Sequence, residues 1–310
     1  MGIERVLVVG VGAVGATVAD HLYRVEGLAL SVFAEGPRAA RLQNDGLIIN
    51  GVRRDFRLLG GEAREVQDLV ILATKDHDLP LLLPRLASLV GPDTIFISLV
   101  NGITSEERIA ALYGPCPLAM IVGISALRKG NRIDWLDPGV IHFGEKRNHA
   151  AAHSSRVARV AALFTRAQLP FAVPEDMERA LWYKFMVNIG INQASAVLRA
   201  PYGAFVPEGG ARDAMELGMR EVVAVAGAKG MDLGDEDLAR WRKTLAGLDP
   251  QGRTSMLQDI LAGRPTEVDI FAGELVRQGK AAGVPTPCNE LWYALIRGLE
   301  ALGASGSVSQ

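Results

Sequence analysis

The chain has 310 residues, 49 % of them apolar, and a formal net charge of −2. That length fits about two domains with a sizeable core, and the near-neutral charge leaves no global basic field for nucleic acid. Its two cysteines, Cys116 and Cys288, each lie beside a proline; they exclude a disulfide framework, a redox pair and a metal knuckle, and read as reduced thiols of a cytoplasmic protein.

A strand pattern begins at Arg5–Val9, with no basic segment and cleavable apolar stretch before it. No run of about 18 apolar residues occurs, so neither export nor a membrane span is expected. The strand leads into Gly10-Val11-Gly12-Ala13-Val14-Gly15, a G-x-G-x-x-G sequence at the start of a helical pattern over Ala13–Arg24. In that context Gly10 permits a tight turn, Gly12 lets the backbone approach a pyrophosphate, and Gly15 lets helix pack closely on strand. The helix N-terminus then faces an anion. After the next predicted strand, Leu28–Phe33, comes Ala34-Glu35-Gly36-Pro37-Arg38, with Glu35 standing 20 residues beyond Gly15. An acidic residue there bonds a ribose 2′-hydroxyl, whereas a 2′-phosphate needs an arginine.

Alternation continues with predicted strands Leu69–Ala73, Thr94–Leu99, Pro117–Ile124 and Val140–Phe143, and predicted helices Pro37–Asn44, Leu79–Leu89, Ser105–Leu112 and His153–Ala167. It predicts an α/β domain over residues 1–174, a doubly wound, mostly parallel sheet of Rossmann type with helices on both faces. Open sheets of this kind bind ligands at the carboxyl ends of their strands. Lys75 in Thr74-Lys75 and Asn101 in Val100-Asn101-Gly102 both fall at such ends. The plainer accounts are a solvated loop lysine and a turn asparagine.

Beyond Phe171-Ala172-Val173-Pro174 the strand signals almost stop, and residues 175–310 read as an all-α domain punctuated by Pro201-Tyr202-Gly203, Gly209-Gly210, Asp249-Pro250 and Gly283-Val284-Pro285. The Gly/Ser-rich tail Gly303–Gln310 reads as frayed. No internal repeat is evident, and the apolar faces of most helices leave room for a homodimer interface.

The first of these helices, 176–192, carries Lys184, Asn188 and Asn192 four residues apart in an otherwise apolar segment. Steps of four drift by about 40° and rise about 6 Å, so an ammonium and two carboxamides form one polar stripe that a small polar substrate can touch along its length. The alternative is a structural lysine with two core amides bonded to backbone. A second cluster runs from Thr254-Ser255-Met256-Leu257-Gln258-Asp259 to Thr266-Glu267-Val268-Asp269. Ser255 can donate or accept a hydrogen bond, while ionised Glu267 only accepts. Helix capping by Ser255 and a solvated acidic face at Glu267 are the plainer accounts. The five histidines show neither metal spacing nor a nucleophile's partner, so no metal is expected.

Taken in order, the glycine fingerprint, strand-end Lys75 and Asn101, the Lys184-Asn188-Asn192 helix and the Ser255 to Glu267 cluster make nearly the whole chain resemble the ketopantoate reductase family. The resemblance implies a Rossmann domain and a helical domain, reducing 2-dehydropantoate to pantoate with NADPH on the route to pantothenate and coenzyme A. By that resemblance Lys184 matches the catalytic proton donor and Glu267 the acidic residue at the nicotinamide ribose and substrate. Asn188 and Asn192 match substrate-binding asparagines, and Ser255 a substrate-binding serine. Asn101 matches a residue touching cofactor and substrate, and Lys75 a strand-end lysine near the cofactor. Two positions depart from the family pattern. Tyr202 stands where a third asparagine is common, and Glu35 where NADPH-using members carry arginine.

These residues predict hydride transfer from NADPH or NADH to the ketone of a small 2-oxo acid, with Lys184 and Glu267 catalytic. Glu35 predicts that NADH serves at least as well as NADPH. The rival enzyme is an NAD-dependent D-2-hydroxyacid dehydrogenase of the same fold, mandelate-like, towards which Tyr202 and Glu35 lean. A β-hydroxyacid dehydrogenase fits the Ser255 to Glu267 cluster less well. A non-catalytic NAD(P) sensor would have no need of Lys184, Asn188, Ser255 and Glu267 together.

Overall fold

The computed structural model describes residues 2–304. Its chain divides into two compact units, with the division between Glu178 and Arg179, a few residues past Pro174.

In the N-terminal unit, β1 (Arg5–Val9) leads into α1 (Ala13–Tyr23), then β2 (Ala29–Phe33) and α2 (Gly36–Asp45). Three short strands follow, β3 (Leu47–Ile49), β4 (Val52–Arg54) and β5 (Arg57–Leu59), and then β6 (Leu69–Leu72). The apolar runs of β1, β6 and β7 (Ile95–Ser98) are buried on both faces, as a central parallel sheet requires. Strand order is β5-β2-β1-β6-β7, all parallel, so the chain reverses its direction of travel between β1 and β6. The register pairs Val9 with Phe33 and with Leu72, and Leu72 with Ser98, which brings the carboxyl ends of four strands level. One apolar cluster on one face includes Val6, Val8, Ile71 and Ile97; the other includes Leu7, Val9, Leu72 and Phe96.

The expected helix Leu79–Leu89 is broken. It is a 3₁₀ turn, Asp76–Asp78, one α-turn, α3 (Leu79–Leu82), and a second 3₁₀ stretch, Leu83–Leu89, because Pro84 cannot donate the next helical bond. Beyond α4 (Ser105–Tyr113) the strands do not extend the parallel sheet. β8 (Leu118–Val122) and β11 (Val140–Gly144) pair antiparallel with each other, and β12 (Phe171–Ala172), which follows α5 (Ser155–Arg166), pairs parallel to β11. A further sheet, order β4-β3-β10-β9, is built from β9 (Ser125–Lys129), β10 (Arg132–Asp137) and the short strands 47–54. It packs over α1, with His21 against the Trp135 ring at a centroid distance of 5.2 Å.

His21 is 8 % exposed and its Nδ1 lies 3.2 Å from the Ala167 carbonyl oxygen; since that oxygen only accepts, Nδ1 carries the hydrogen. Nε2 is buried without a partner, so protonating it would bury an unbonded N–H. Burial, chiefly, holds the imidazole below its usual value near 6.5. A group depressed in the fold stabilises it above the unfolded pKa and loses that contribution as pH falls through the folded one. Tm should therefore decline from about pH 6.5 downward. His21→Asn, which keeps a donor for Ala167, should flatten that decline in calorimetric scans between pH 8 and 5; an unchanged slope would show that His21 does not titrate with unfolding.

The C-terminal unit is helical. α6 (Met177–Val187) begins just before it and runs through a π-helical turn, Asn188–Asn192, into α7 (Gln193–Leu198). A 3₁₀ turn, Tyr202–Phe205, is followed by α8 (Gly210–Ala228), α9 (Asp235–Ala246) and α10 (Ser255–Leu261). The 3₁₀ turn Val268–Ile270 then precedes α11 (Ala272–Ala282) and α12 (Pro287–Ala304). α12 carries Gly303 and Ala304 within the helix rather than in a frayed tail; residues 305–310 lie outside the described ones. No helix among the described residues is long and apolar enough to cross a membrane.

Candidate active site

The glycine-rich loop follows β1 in the N-terminal unit. Gly10 has φ +92°, and a Cβ on it would stand 2.6 Å from Thr74 Cγ2 and 2.7 Å from the Ala73 carbonyl oxygen. A Cβ on Gly15 would stand 1.8 Å from the Gly10 carbonyl oxygen, so α1 is seated directly on the turn. A Cβ on Gly12 would meet nothing within 4 Å, and Gly12 opens α1 with no side chain capping its first N–H groups and no acidic residue in its first turn. An open backbone face, uncapped N–H groups and the positive end of a helix suit the pyrophosphate of a dinucleotide. Val11, Ala13 and Val14 complete that loop. Lys75, half-buried, opens the 3₁₀ turn after β6, and Asn101, also half-buried, follows β7. The level strand ends thus set Gly10–Gly15, Lys75 and Asn101 along one edge of the parallel sheet.

Glu35 stands beyond β2 on the same edge, but its carboxylate has partners of its own. Oε1 accepts from the Gly61 N–H at 2.6 Å, and Oε2 lies 2.7 Å from Arg85 Nη2. The expectation that Glu35 presents a carboxylate to a ribose rested on its place along the chain; the side chain turns instead to a backbone N–H and a guanidinium.

In the C-terminal unit Lys184 lies on α6, half-buried, followed by half-buried Asn188 and by Asn192, 7 % exposed. The expected uninterrupted α-helix over 176–192 is corrected here, because a π turn widens the last five of those residues and rotates Asn192 relative to a regular helical stripe. The Gln193 backbone N–H bonds the Gly190 carbonyl, and the Ile189 carbonyl, its partner in a regular helix, receives the Gln193 side-chain amide at 3.0 Å. Gly190 is the point of closest approach to α8: a Cβ there would stand 2.4 Å from Met219 Cγ and 3.1 Å from the Met215 carbonyl oxygen.

Neither Asn188 nor Asn192 is hydrogen-bonded to protein among the described residues, in contrast to Gln193 beside them. Gln193 Nε2 also donates to Asn289 Oδ1 at 3.0 Å, and Gln193 Oε1 accepts from the Ala272 N–H at 3.1 Å. Asn289 in turn donates to Glu221 Oε2 at 2.7 Å. This buried network ties α7, α8, α11 and α12 together, and it went unseen in the sequence. Gln193 follows the polar stripe directly, and a second carboxamide, Asn289, sits in an apolar helix; that pairing was the available signal.

Thr254, not Ser255, caps α10. Its Oγ1 accepts from the Leu257 N–H at 3.1 Å and lies 3.2 Å from Ser195 Oγ on α7. Ser255, exposed at the first helical position, is thereby held on a helix that packs against α7 and the π turn. Half-buried Glu267 opens the 3₁₀ turn 268–270, whose neighbour Thr266 is fixed by N–H and hydroxyl bonds of 2.6 and 2.7 Å to Glu300 Oε1. The Tyr202 ring lies beneath the loop entering α10: a Cβ on Gly252 would stand 2.8 Å from its Cδ2, and burial raises the pKa of its phenol. Among the described residues no group of three His, Cys, Asp or Glu side chains is arranged to hold a metal ion.

Residues 6–148 match the family model described as Ketopantoate reductase PanE/ApbA, and residues 176–300 its partner, Ketopantoate reductase PanE/ApbA C terminal. A 2-dehydropantoate 2-reductase of Pyrococcus horikoshii is 26 % identical over an alignment covering 96 % of this chain and 98 % of that one. The crystal structure of a PanE/ApbA family ketopantoate reductase from Ralstonia eutropha superposes with a TM-score of 0.83 at 25 % identity, covering 97 % of this chain and 99 % of that one. D-mandelate dehydrogenase, in a ternary structure with NADH and anilino(oxo)acetate, shares the fold at a TM-score of 0.86 and 21 % identity, over 97 % and 99 % of the two chains.

Proposed function

Because this chain belongs to the ketopantoate reductase PanE/ApbA family along both of its units, we propose that it reduces the ketone of a small 2-oxo acid, 2-dehydropantoate being the substrate its site fits best. The observation that carries this reading is Asn192. A carboxamide 7 % exposed and unbonded by protein, on the helical run that also presents Lys184 and Asn188, is costly unless a polar ligand completes it. The account of Asn188 and Asn192 as core amides bonded to backbone is the one that this observation disfavours.

Gly10–Gly15, Lys75 and Asn101 are the residues we assign to the dinucleotide, with Glu267 at its nicotinamide ribose. When bound in reduced form, the nicotinamide supplies the hydride. Lys184 meets the substrate oxygen as it becomes alkoxide-like, stabilises the charge and delivers the proton that completes the alcohol. The Asn188 and Asn192 carboxamides, each with two donors and an acceptor oxygen, hold the substrate's carbonyl and a neighbouring hydroxyl or carboxylate. Ser255, exposed at the head of α10, holds the far end of the acid, and Glu267 orients a hydroxyl and the Lys184 ammonium. Orientation of this kind supplies a large part of such rate enhancements.

The Tyr202 ring under the Gly252 loop favours a second reading, a D-2-hydroxyacid dehydrogenase with an aromatic surface near the Ser255 helix. Steady-state assays with 2-dehydropantoate, phenylglyoxylate and 2-oxoisovalerate, each with NADPH and with NADH, separate the two. The expected outcome is a kcat/KM for 2-dehydropantoate higher by at least about 100-fold, since a site built to bond a hydroxyl rejects analogues that lack it. A clear preference for phenylglyoxylate would establish the second reading instead.

A further inference from the structure

The sheet over α1 contributes a residue to the glycine-rich loop that no motif indicates. In β9, Arg128 is directly opposite Ile133 of β10, so its side chain leaves the face that packs on α1. Its Nη1 donates to the carbonyl oxygen of Val11, inside the glycine-rich loop, at 2.7 Å, and its Nε donates to the Gly130 carbonyl at 2.8 Å. The charged groups acting on it are Arg38 and Arg41, one turn apart at the start of α2; partial burial first, and then these two like charges, lower its pKa from the usual arginine value. None of these arginines has an ion pair among the described residues. The carboxylate nearest in sequence, Glu35, is engaged by Gly61 and Arg85. Guanidinium groups converging from separate segments without a counter-charge repel one another and favour a shared anion.

We propose that Arg38, Arg41 and Arg128 form an anion site beside the glycine-rich loop that takes the 2′-phosphate of NADP(H), so that the chain selects NADPH although an acid follows β2. The inference rests on the dinucleotide reading above. It reverses the NADH preference that Glu35 predicts from its position, because Glu35 is turned towards Gly61 and Arg85. Arg38 lies three residues beyond Glu35 and uses the first turn of α2 to reach the position that a strand-end arginine would otherwise fill.

Calorimetric titration of the full chain with NADPH, NADH, 2′-AMP and 5′-AMP, without substrate, tests it. The native protein should bind NADPH at least about tenfold more tightly than NADH, and 2′-AMP more tightly than 5′-AMP. Arg38 and Arg41 are exposed, so Arg38→Gln/Arg41→Gln should keep its fold by circular dichroism. That variant should lose NADPH affinity by about tenfold or more while NADH affinity changes less than about twofold. Raising KCl from about 50 to 200 mM should weaken NADPH more than NADH. An equal loss for both dinucleotides, or native preference for NADH, overturns the arginine site and leaves the reductase reading standing. The expected binding pattern in a protein that reduces no 2-oxo acid sinks the reductase reading and leaves the site. Absence of binding by either dinucleotide overturns both.

Discussion

Lys184→Ala should lower kcat by about 10²–10⁴-fold, the usual worth of a positioned proton donor, while the dissociation constants of NADPH and NADH stay within about twofold of native, a mark of an interaction made in the transition state. The side chain is half-buried on α6 between the core residues Leu181, Phe185 and Met186, so the helix is held by its apolar neighbours and not by the ammonium. Alanine is also the better helix former. A drop in kcat therefore reads as lost chemistry once circular dichroism shows native helicity. Lys184→Arg refines the test, because guanidinium keeps the positive charge but is a poor acid near neutral pH. It should recover part of the electrostatic stabilisation and little of the proton transfer. Full turnover by folded Lys184→Ala would remove Lys184 from the mechanism, and a rise in KM alone would make it a binding residue.

The parallel sheet was legible because its strands are buried on both faces: the apolar runs 5–9, 69–73 and 94–99 have no polar side to interrupt them, and the observed β1, β6 and β7 differ from those limits by a residue at most. The second sheet was not, since β4 and β9 are mostly exposed and carry arginine and lysine. Its turns were the better signal. Asn50-Gly51, with φ +47° and +79°, joins β3 to β4, and Gly130-Asn131 joins β9 to β10, both pairs typical of two-residue hairpins. Apolar spacing also cannot register one extra residue in a helical turn, so the π turn at Asn188–Asn192 was hidden although its residue types stood out. Glu35 shows a different limit. Distance from the glycine motif fixes a residue's place along the fold but not its rotamer, and the partner that turns the carboxylate, Arg85, lies 50 residues away in sequence.

Gly15→Ala should weaken NADPH and NADH alike, by on the order of 100-fold or more, and should lower stability by about 1–3 kcal/mol, the usual range for overpacking. The Cβ would stand 1.8 Å from the Gly10 carbonyl oxygen and 3.0 Å from Ala73 Cβ. Neither obstacle is a flexible side-chain end: Gly10 closes a turn at φ +92°, and Ala73 directly follows β6 in the buried sheet. The start of α1 must move, carrying with it the N–H groups assigned to the pyrophosphate. Gly12→Ala is the control, because it has negative φ and its Cβ would meet no protein atom within 4 Å. It should leave Tm nearly unchanged yet reduce dinucleotide affinity, since the added methyl occupies the face a phosphate approaches. Calorimetric binding and thermal unfolding on both variants separate the effects, with Gly15→Ala losing affinity and stability together and Gly12→Ala losing affinity alone. Native affinity for both dinucleotides in Gly12→Ala would show that the pyrophosphate does not approach the backbone there, and native Tm in Gly15→Ala would show that α1 is not seated on the turn as closely as a 1.8 Å approach requires.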